Sequence, residues 1–434
     1  MSDLRLGLML GIGLLALSCA PERRGASDDG GGDGGSAEGE GEGSQPPSEG
    51  EGEGPAEGEG EGEGATEGEG EGVGPSEGEG EGEGPAEGEG EGEGEGGPPP
   101  REAFGELIDD EGDVGWQSAL ALDSRGRPHV AYPGTFGDVG YARRTEAGWW
   151  LEVIDMDDGR AVDIAMDSDD VPHVLVVERP RRTEMNSLLL ASRRGGAWRV
   201  EQIFDDGDVI GTPSLVIDRG DVPHIAFTIL GGSDDLRYAT RPARVWFVES
   251  VDPTADAALS VSIAVDPDRQ PHITYHHLAD DELRHAVYAG GQWTPERVDS
   301  SDHRGMSSML IDRRGIPHIA YTSQAGNDLN YAFKIARVWS TALVDGAGGL
   351  GNGLSIALDP DDVPHIAYYE ASASDLRYAF YDRNRWASEP VVQPGLAGNA
   401  PSLAVDTEGN AHISHGDGTN PGNSNLMYHF LPAR

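Results

Sequence analysis

Residues 355–380 read SIALDPDDVPHIAYYEASASDLRYAF: an apolar run ends on Asp359, a polar turn follows, and a second run starts at Pro364 and His365. β-Branched and aromatic residues fill the runs, and Asp and Pro fill the break, which is the composition of two strands joined by a tight turn. The phrase recurs as LDSRGRPHVAY, MDSDDVPHVLV, IDRGDVPHIAF, VDPDRQPHITY, IDRRGIPHIAY, LDPDDVPHIAY and VDTEGNAHISH. Its leading aspartates are Asp123, Asp167, Asp218, Asp266, Asp312, Asp359 and Asp406. Its histidines are His129, His173, His224, His272, His318, His365 and His412. Aspartate and histidine stand six residues apart in every copy, whereas successive histidines are 44, 51, 48, 46, 47 and 47 residues apart. The hairpin is the invariant part, and length varies in the connections.

Each repeat reads as four strands, of the types SIALD, PHIAY, DLRYA and W-x-x-E-x-V-D. The third is DLRYA at 235–239 and 375–379 and DLNYA at 328–332. Trp149, Trp198, Trp246, Trp293, Trp339 and Trp386 mark the fourth strand in phase, and the seventh repeat stops at Arg434 without a tryptophan. The segment EAFGELIDD, ahead of the first repeat, supplies what is missing. Its Glu106, Ile108 and Asp109 align with the Glu, Val and Asp of WFVESVD (246–252), with Ala103 at the tryptophan position. Seven four-stranded units with offset ends predict an all-β fold over residues 101–434: a seven-bladed β-propeller closed by an N-terminal strand, which removes the open sheet edge.

These repeats resemble bacterial propeller repeats of the D-x-x-G-x-P-H-I-A-Y type, over 101–434, and more loosely Asp-box sialidase-like and fucose-lectin-like propellers. The S-x-D-x-G-x-T-W box is absent: Asp312 and Gly315 hold the Asp and Gly places, but Pro317 and His318 follow. The resemblance implies glycan binding, or a glycan-directed hydrolase or lyase. A sialidase-like site would need converging arginines, an Asp and a Tyr-Glu pair. Fold likeness alone does not carry function.

A group present in every blade serves what every blade shares. The Asp-His pairs are therefore expected to be structural parts of the hairpin, Asp accepting backbone N–H bonds across the turn and a half-buried His being held by a neighbouring strand. The tryptophans and Tyr238, Tyr331 and Tyr378 are expected to pack blade on blade. Departures from the pattern lie in the connections from fourth to first strands: DDEGDVGW (109–116), DMDDGR (155–160), DDGDVIG (205–211), DSSDHRG (299–305) and DGAGGLGNG (345–353). Their oxygens suit Ca²⁺, or are simply solvated acidic turns; none is a complete EF-hand loop. The fourth repeat, YHHLADDELRHAVY, carries Asp280, Asp281, His285 and the candidate transition-metal ligands His276 and His277, with His303 following, though unligated loop histidines have the same appearance. The loop HGDGTNPGNSN (415–425) suits a glycan or protein contact, or is a plain surface loop. No nucleophile elbow, H-E-x-x-H motif or phosphate loop is present, so a non-enzyme without a cofactor other than Ca²⁺ is expected.

Residues 1–18 have the proportions of a secretory signal peptide, and Cys19 is the only cysteine. The sequence Ala16-Leu17-Ser18-Cys19 resembles a bacterial lipobox, with Ala16 where Leu is usual, which implies lipid attachment at Cys19; an ordinary cleaved signal with an incidental Cys is the alternative. Ala20 in place of Asp implies sorting to the outer membrane, with the protein periplasmic or surface-exposed. Residues 19–100 are a Glu/Gly-rich segment expected to be a disordered tether. Seventy such residues reach roughly 45 Å or more. The net charge of −47 divides into −24 for residues 1–100 and −23 for the rest, so nucleic acid is a poor partner, while cations, basic proteins and neutral glycans suit. The expected protein is thus a monomeric, non-enzymatic envelope lipoprotein. Its propeller binds a glycan, protein or cation through its loops; a structural envelope component is the further alternative.

Overall fold

A computed structural model describes residues 102–434 except 180–184, 231–235, 255–259, 301–304, 324–327, 347–349, 383, 392–397 and 419–423. The leader, Cys19, the tether and His303 lie outside the described residues. The chain forms seven four-stranded antiparallel sheets arranged as a seven-bladed propeller. In blade 4 the strands are Val261–Val265, Pro271–His277, Glu282–Ala289 and Gln292–Asp299. First strands of successive blades lie against one another around the axis, and fourth strands form the outer rim.

The N-terminal strand Phe104–Asp109 pairs with Asn425–Leu431, the third strand of blade 7, in the register Phe104↔Phe430, Glu106↔Tyr428. The last blade is therefore built from both ends of the domain. Arg144 of blade 1 donates to Glu106 at 2.6 Å and Trp149 donates to it at 3.1 Å, so the closing strand is also held by its neighbour. The same acid-base contact joins Glu152 to Arg193, Glu201 to Arg241, Glu296 to Lys334 and Glu389 to Arg434. Between blades 5 and 6 the two positions are Ala342 and Tyr381, and acid and base are missing together.

The hairpin phrase has one geometry throughout. The leading Asp N–H donates to the carbonyl four residues on, and its own carbonyl accepts from the residue three on, as in Asp312 N→Ile316 O and Gly315 N→Asp312 O. This is a three-residue loop whose last residue must adopt positive φ. All seven do: Gly126, Asp170, Asp221, Arg269, Gly315, Asp362 and Gly409. The non-glycine residues reach the preceding blade, Asp170 to Ser124, Asp221 to Ser168, Arg269 to Asp218 and Asp362 to Arg313. Their left-handed backbone positions a side chain for a contact that glycine lacks.

Two expectations need correction. Parts of the acidic connections are strand: Asp208–Ile217 and Leu350–Leu358 are first strands that begin inside them. A bulge between Ile210 and Ser214 lets Asp208, Val209 and Ile210 pair with Leu230, Ile229 and Thr228, so these backbone groups are bonded within the sheet. Second, the tryptophan packing is incomplete in a specific way. Trp198 meets Tyr141 of the preceding blade, Trp293 meets Tyr238, Trp386 meets Tyr331 and Trp149 meets Tyr428, with centroids 5.0–5.2 Å apart. Tyr378 has no such ring because Ala103 stands there; the Arg434 guanidinium lies over Tyr378 and Phe380 instead.

Candidate functional site on the loop face

On the hairpin side each Asp is a double acceptor. Asp312 Oδ1 takes the N–H groups of Arg314 and Ile316 at 2.9 and 2.8 Å, while Oδ2 faces His318 at 3.6 Å. The histidine's Nδ1 then meets a third-strand hydroxyl: Tyr141, Tyr238, Tyr331, Tyr378 or Tyr428, at 2.5–2.8 Å, and Ser192 for His173. An Asp–His–Tyr series is chemically familiar, but here it is buried and repeated. Burial opposes ionisation of Asp406, yet bonds from His412 and Asn410 outweigh it and hold the carboxyl at about 2.

Blade 4 differs, because His285 replaces the tyrosine. His272 Nδ1 and His285 Nε2 are 2.9 Å apart, and His285 Nδ1 lies 2.9 Å from Glu296, which also pairs with Lys334. Since a carboxylate only accepts, Nδ1 of His285 carries the proton and its Nε2 accepts from His272. Burial, with the neighbouring His272 ring, pushes His285 down to about 4 against the pull of Glu296.

Connections from second to third strands share a face with those from fourth to first strands, and the two sets are laced together. Gly159 N donates to Gly137 O at 2.7 Å, Arg179 N to Asp158 O at 3.0 Å and Asn186 N to Asp208 Oδ1 at 2.7 Å. On this face a second-strand tyrosine donates to the Asp ending the preceding blade: Tyr132 to Asp109, Tyr275 to Asp252, Tyr321 to Asp299 and Tyr368 to Asp345. Where the tyrosine becomes Phe227, the Asp becomes Phe204, and the rings meet at 5.2 Å. Burial and the acceptor carboxylate push the Tyr275 phenol well above its ordinary value, so it is a donor and not a base.

The predicted metal ligands His276 and His277 are consecutive residues of Pro271–His277, and consecutive strand residues face opposite sides of the sheet. His276 lies 3.7 Å from Asp281; His277 lies 3.3 Å from Asp280 and its Nε2 is 3.0 Å from Thr254 O. Among the described residues no group of three or more His, Cys, Asp or Glu could hold a metal ion. Arg284 completes this cluster by reaching Asp252, Asp280 and Glu282. Arg377 does the same between blades 5 and 6, donating to Tyr368 and Ser388 and pairing with Glu370. These guanidinium donors are directed at protein acceptors. Arg237 holds the same third-strand position in blade 3, and the spacing is readable in the sequence as DLR (235–237), ELR (282–284) and DLR (375–377).

The ring of first strands holds a residue that sequence reasoning missed. Four residues before the hairpin Asp, a serine oxygen accepts from the first-strand amide of the next blade: Ser214 from Ile263, Ser262 from Met309, Ser308 from Ile356, Ser355 from Leu403 and Ser402 from Leu120, at 2.8–3.3 Å. Blade 1 has Ala119 there and blade 2 has Asp163. Asp163 Oδ2 accepts from Leu215 at 2.7 Å, and Oδ1 accepts from Ile164 at 2.8 Å, the amide that a serine at 119 would otherwise have served. Full burial pushes this carboxyl well up, against the bonds it accepts.

No family model matches the chain, and no curated protein is similar to it in sequence. Similar solved structures include an ulvan lyase, a polysaccharide lyase bound to -[GlcA(1-4)Rha3S]-, at 10% identity and TM-score 0.52, covering 74% of this chain and 94% of that one. A protein of unknown function from Dyadobacter fermentans is 8% identical with TM-score 0.48, covering 77% and 99%. The six-bladed Aleuria aurantia lectin is 12% identical with TM-score 0.46, covering 67% and 99%. At these identities the likeness concerns the fold.

Proposed function

We propose that this protein is a non-catalytic binding module of the cell envelope: lipid at Cys19 anchors it, the acidic tether extends it, and the loop face of the propeller takes the ligand. One observation carries the reading. The side chains able to do chemistry, in the Asp–His–Tyr series and the Tyr–Asp–Arg clusters, recur from blade to blade and are bonded to one another, so variation is concentrated at the loop tips. The acidic loop face disfavours an anionic polysaccharide of the kind the ulvan lyase binds and suits neutral glycans, cations or basic polypeptides. The alternative, a glycan-directed hydrolase or lyase, needs a general base, and the loop-face phenols are pushed away from that role.

Fractionation of cells producing Cys19→Ala tests the anchor: the variant is expected in the soluble fraction, and continued membrane association refutes it. A glycan array with Ca²⁺ titration tests the face, with binding expected and no turnover. New reducing ends or unsaturated products from any polysaccharide would establish the enzyme instead.

A further inference from the structure

Four successive blades expose a large apolar side chain where the second strand gives way to the third, three of them in the connection and Leu230 at the end of the strand Pro223–Leu230. These are Phe136 (87% exposed) in blade 1, Met185 (48%) in blade 2, Leu230 (59%) in blade 3 and Leu278 (41%) in blade 4. The corresponding segments of blades 5 to 7 read QAGN (324–327), ASAS (371–374) and GTNPGNS (418–424), without one large apolar residue. Single exposed apolar side chains are ordinary; a run restricted to one half of one face is not. Between these tips lie the acidic segments DEGD (110–113), DMDD (155–158) and DDGD (205–208), with Asp280 and Asp281 beside Leu278. Of the bases nearby, Arg160 is paired with Asp158 and Arg284 with Asp280, and the blade 2 connection adds Arg179, Arg181 and Arg182; against these five stand the nine acids of the three segments with Asp280 and Asp281, so the arc stays negative.

We infer that this half of the loop face is a docking surface for a cationic amphipathic polypeptide, whose apolar side chains cover the four tips while its Lys and Arg residues meet the acidic segments. Charge selects this occupant. The chain's own Glu/Gly tether and a second copy of the propeller carry the same sign as the arc and are repelled from it. The inference rests on the loop face being the binding face and names its partner class. Apolar contact supplies affinity that salt does not screen, and the acids supply orientation and association rate.

The test uses the full chain carrying Cys19→Ala, titrated with a synthetic amphipathic Lys/Leu helical peptide, a Glu/Leu peptide of the same pattern and a Lys/Ser peptide of the same charge. The Lys/Leu peptide is expected to bind, and the other two to bind at least about ten-fold more weakly. Phe136→Ser with Leu230→Ser and Leu278→Ser should lose about ten-fold or more. Val153→Ser with Val200→Ser and Phe247→Ser, also exposed but on the outer rim, should retain affinity. If the triple variant unfolds, Phe136→Ser alone, with circular dichroism as the folding control, takes its place and should weaken binding several-fold. No binding of the Lys/Leu peptide, equal binding of any control peptide, or equal loss in the rim variant overturns the inference. A glycan or Ca²⁺ response that survives such a result leaves the loop face as binding face and removes only this partner class.

Discussion

Asp163 and Ala119 are predicted to be energetically coupled although they lie on different blades. In Asp163→Ser the hydroxyl can take Leu215 N, as serines do elsewhere in the ring, but the Ile164 amide loses its acceptor. A buried N–H left unbonded costs about 1–3 kcal/mol. Adding Ala119→Ser restores an acceptor in the place where Ser214 serves Ile263, so the second change recovers about 1–3 kcal/mol in that background. Alone, Ala119→Ser adds a hydroxyl beside an amide already served, and gains little. Urea unfolding of the four proteins at neutral pH gives the coupling directly. The sign with pH is also determined: Asp163 keeps its proton in the fold above the unfolded value near 3.9, so the wild type loses stability as pH rises from there. The slope is at most about 1.4 kcal/mol per pH unit for one proton. The double variant, lacking the carboxyl, should gain on the wild type from about pH 4 upward. Additivity of the two changes within about 0.5 kcal/mol, or a difference that does not vary with pH, would refute the reasoning.

Two further outcomes follow from the hairpins. Asp312→Ala strands the amides of Arg314 and Ile316 and should cost about 2–4 kcal/mol in urea unfolding, whereas Arg313→Ala, at an exposed ion pair, should cost far less. His285→Tyr restores the pattern of the other blades. With the folded pKa of His285 at about 4 and an unfolded value of about 6.5, the wild type loses stability as pH falls through that window. The variant should therefore gain relative stability from about pH 6.5 down to about 4, and parallel profiles would show that His285 does not titrate there.

The architecture was legible because the repeat was. Six-residue Asp-His spacing implies a fixed hairpin, and the Glu106-x-Ile108-Asp109 match to the fourth-strand pattern locates the closing strand. Less was legible where a strand borrows an extra residue: DDGDVIG has loop composition, yet a bulge lets Asp208, Val209 and Ile210 pair with blade 3's second strand. The site around His276 and His277 was visible as a departure from the repeat, but neighbouring positions on a strand separate their side chains to opposite faces.

Sequence alone determined the number of blades, their order and the way the ring closes, because these depend on local periodicity and on counting copies. Tertiary structure decided what the copies do to one another. That Asp163 serves the Ile164 amide that Ala119 cannot, that Phe204 pairs with Phe227 where other interfaces pair Asp with Tyr, and that Arg434 lies over Tyr378 where Ala103 leaves a gap are compensations between positions in different repeats. Each substitution looks like drift within its own repeat. Only the neighbouring blade, which supplies the second half of each hydrogen bond or ring contact, shows that it is compensated.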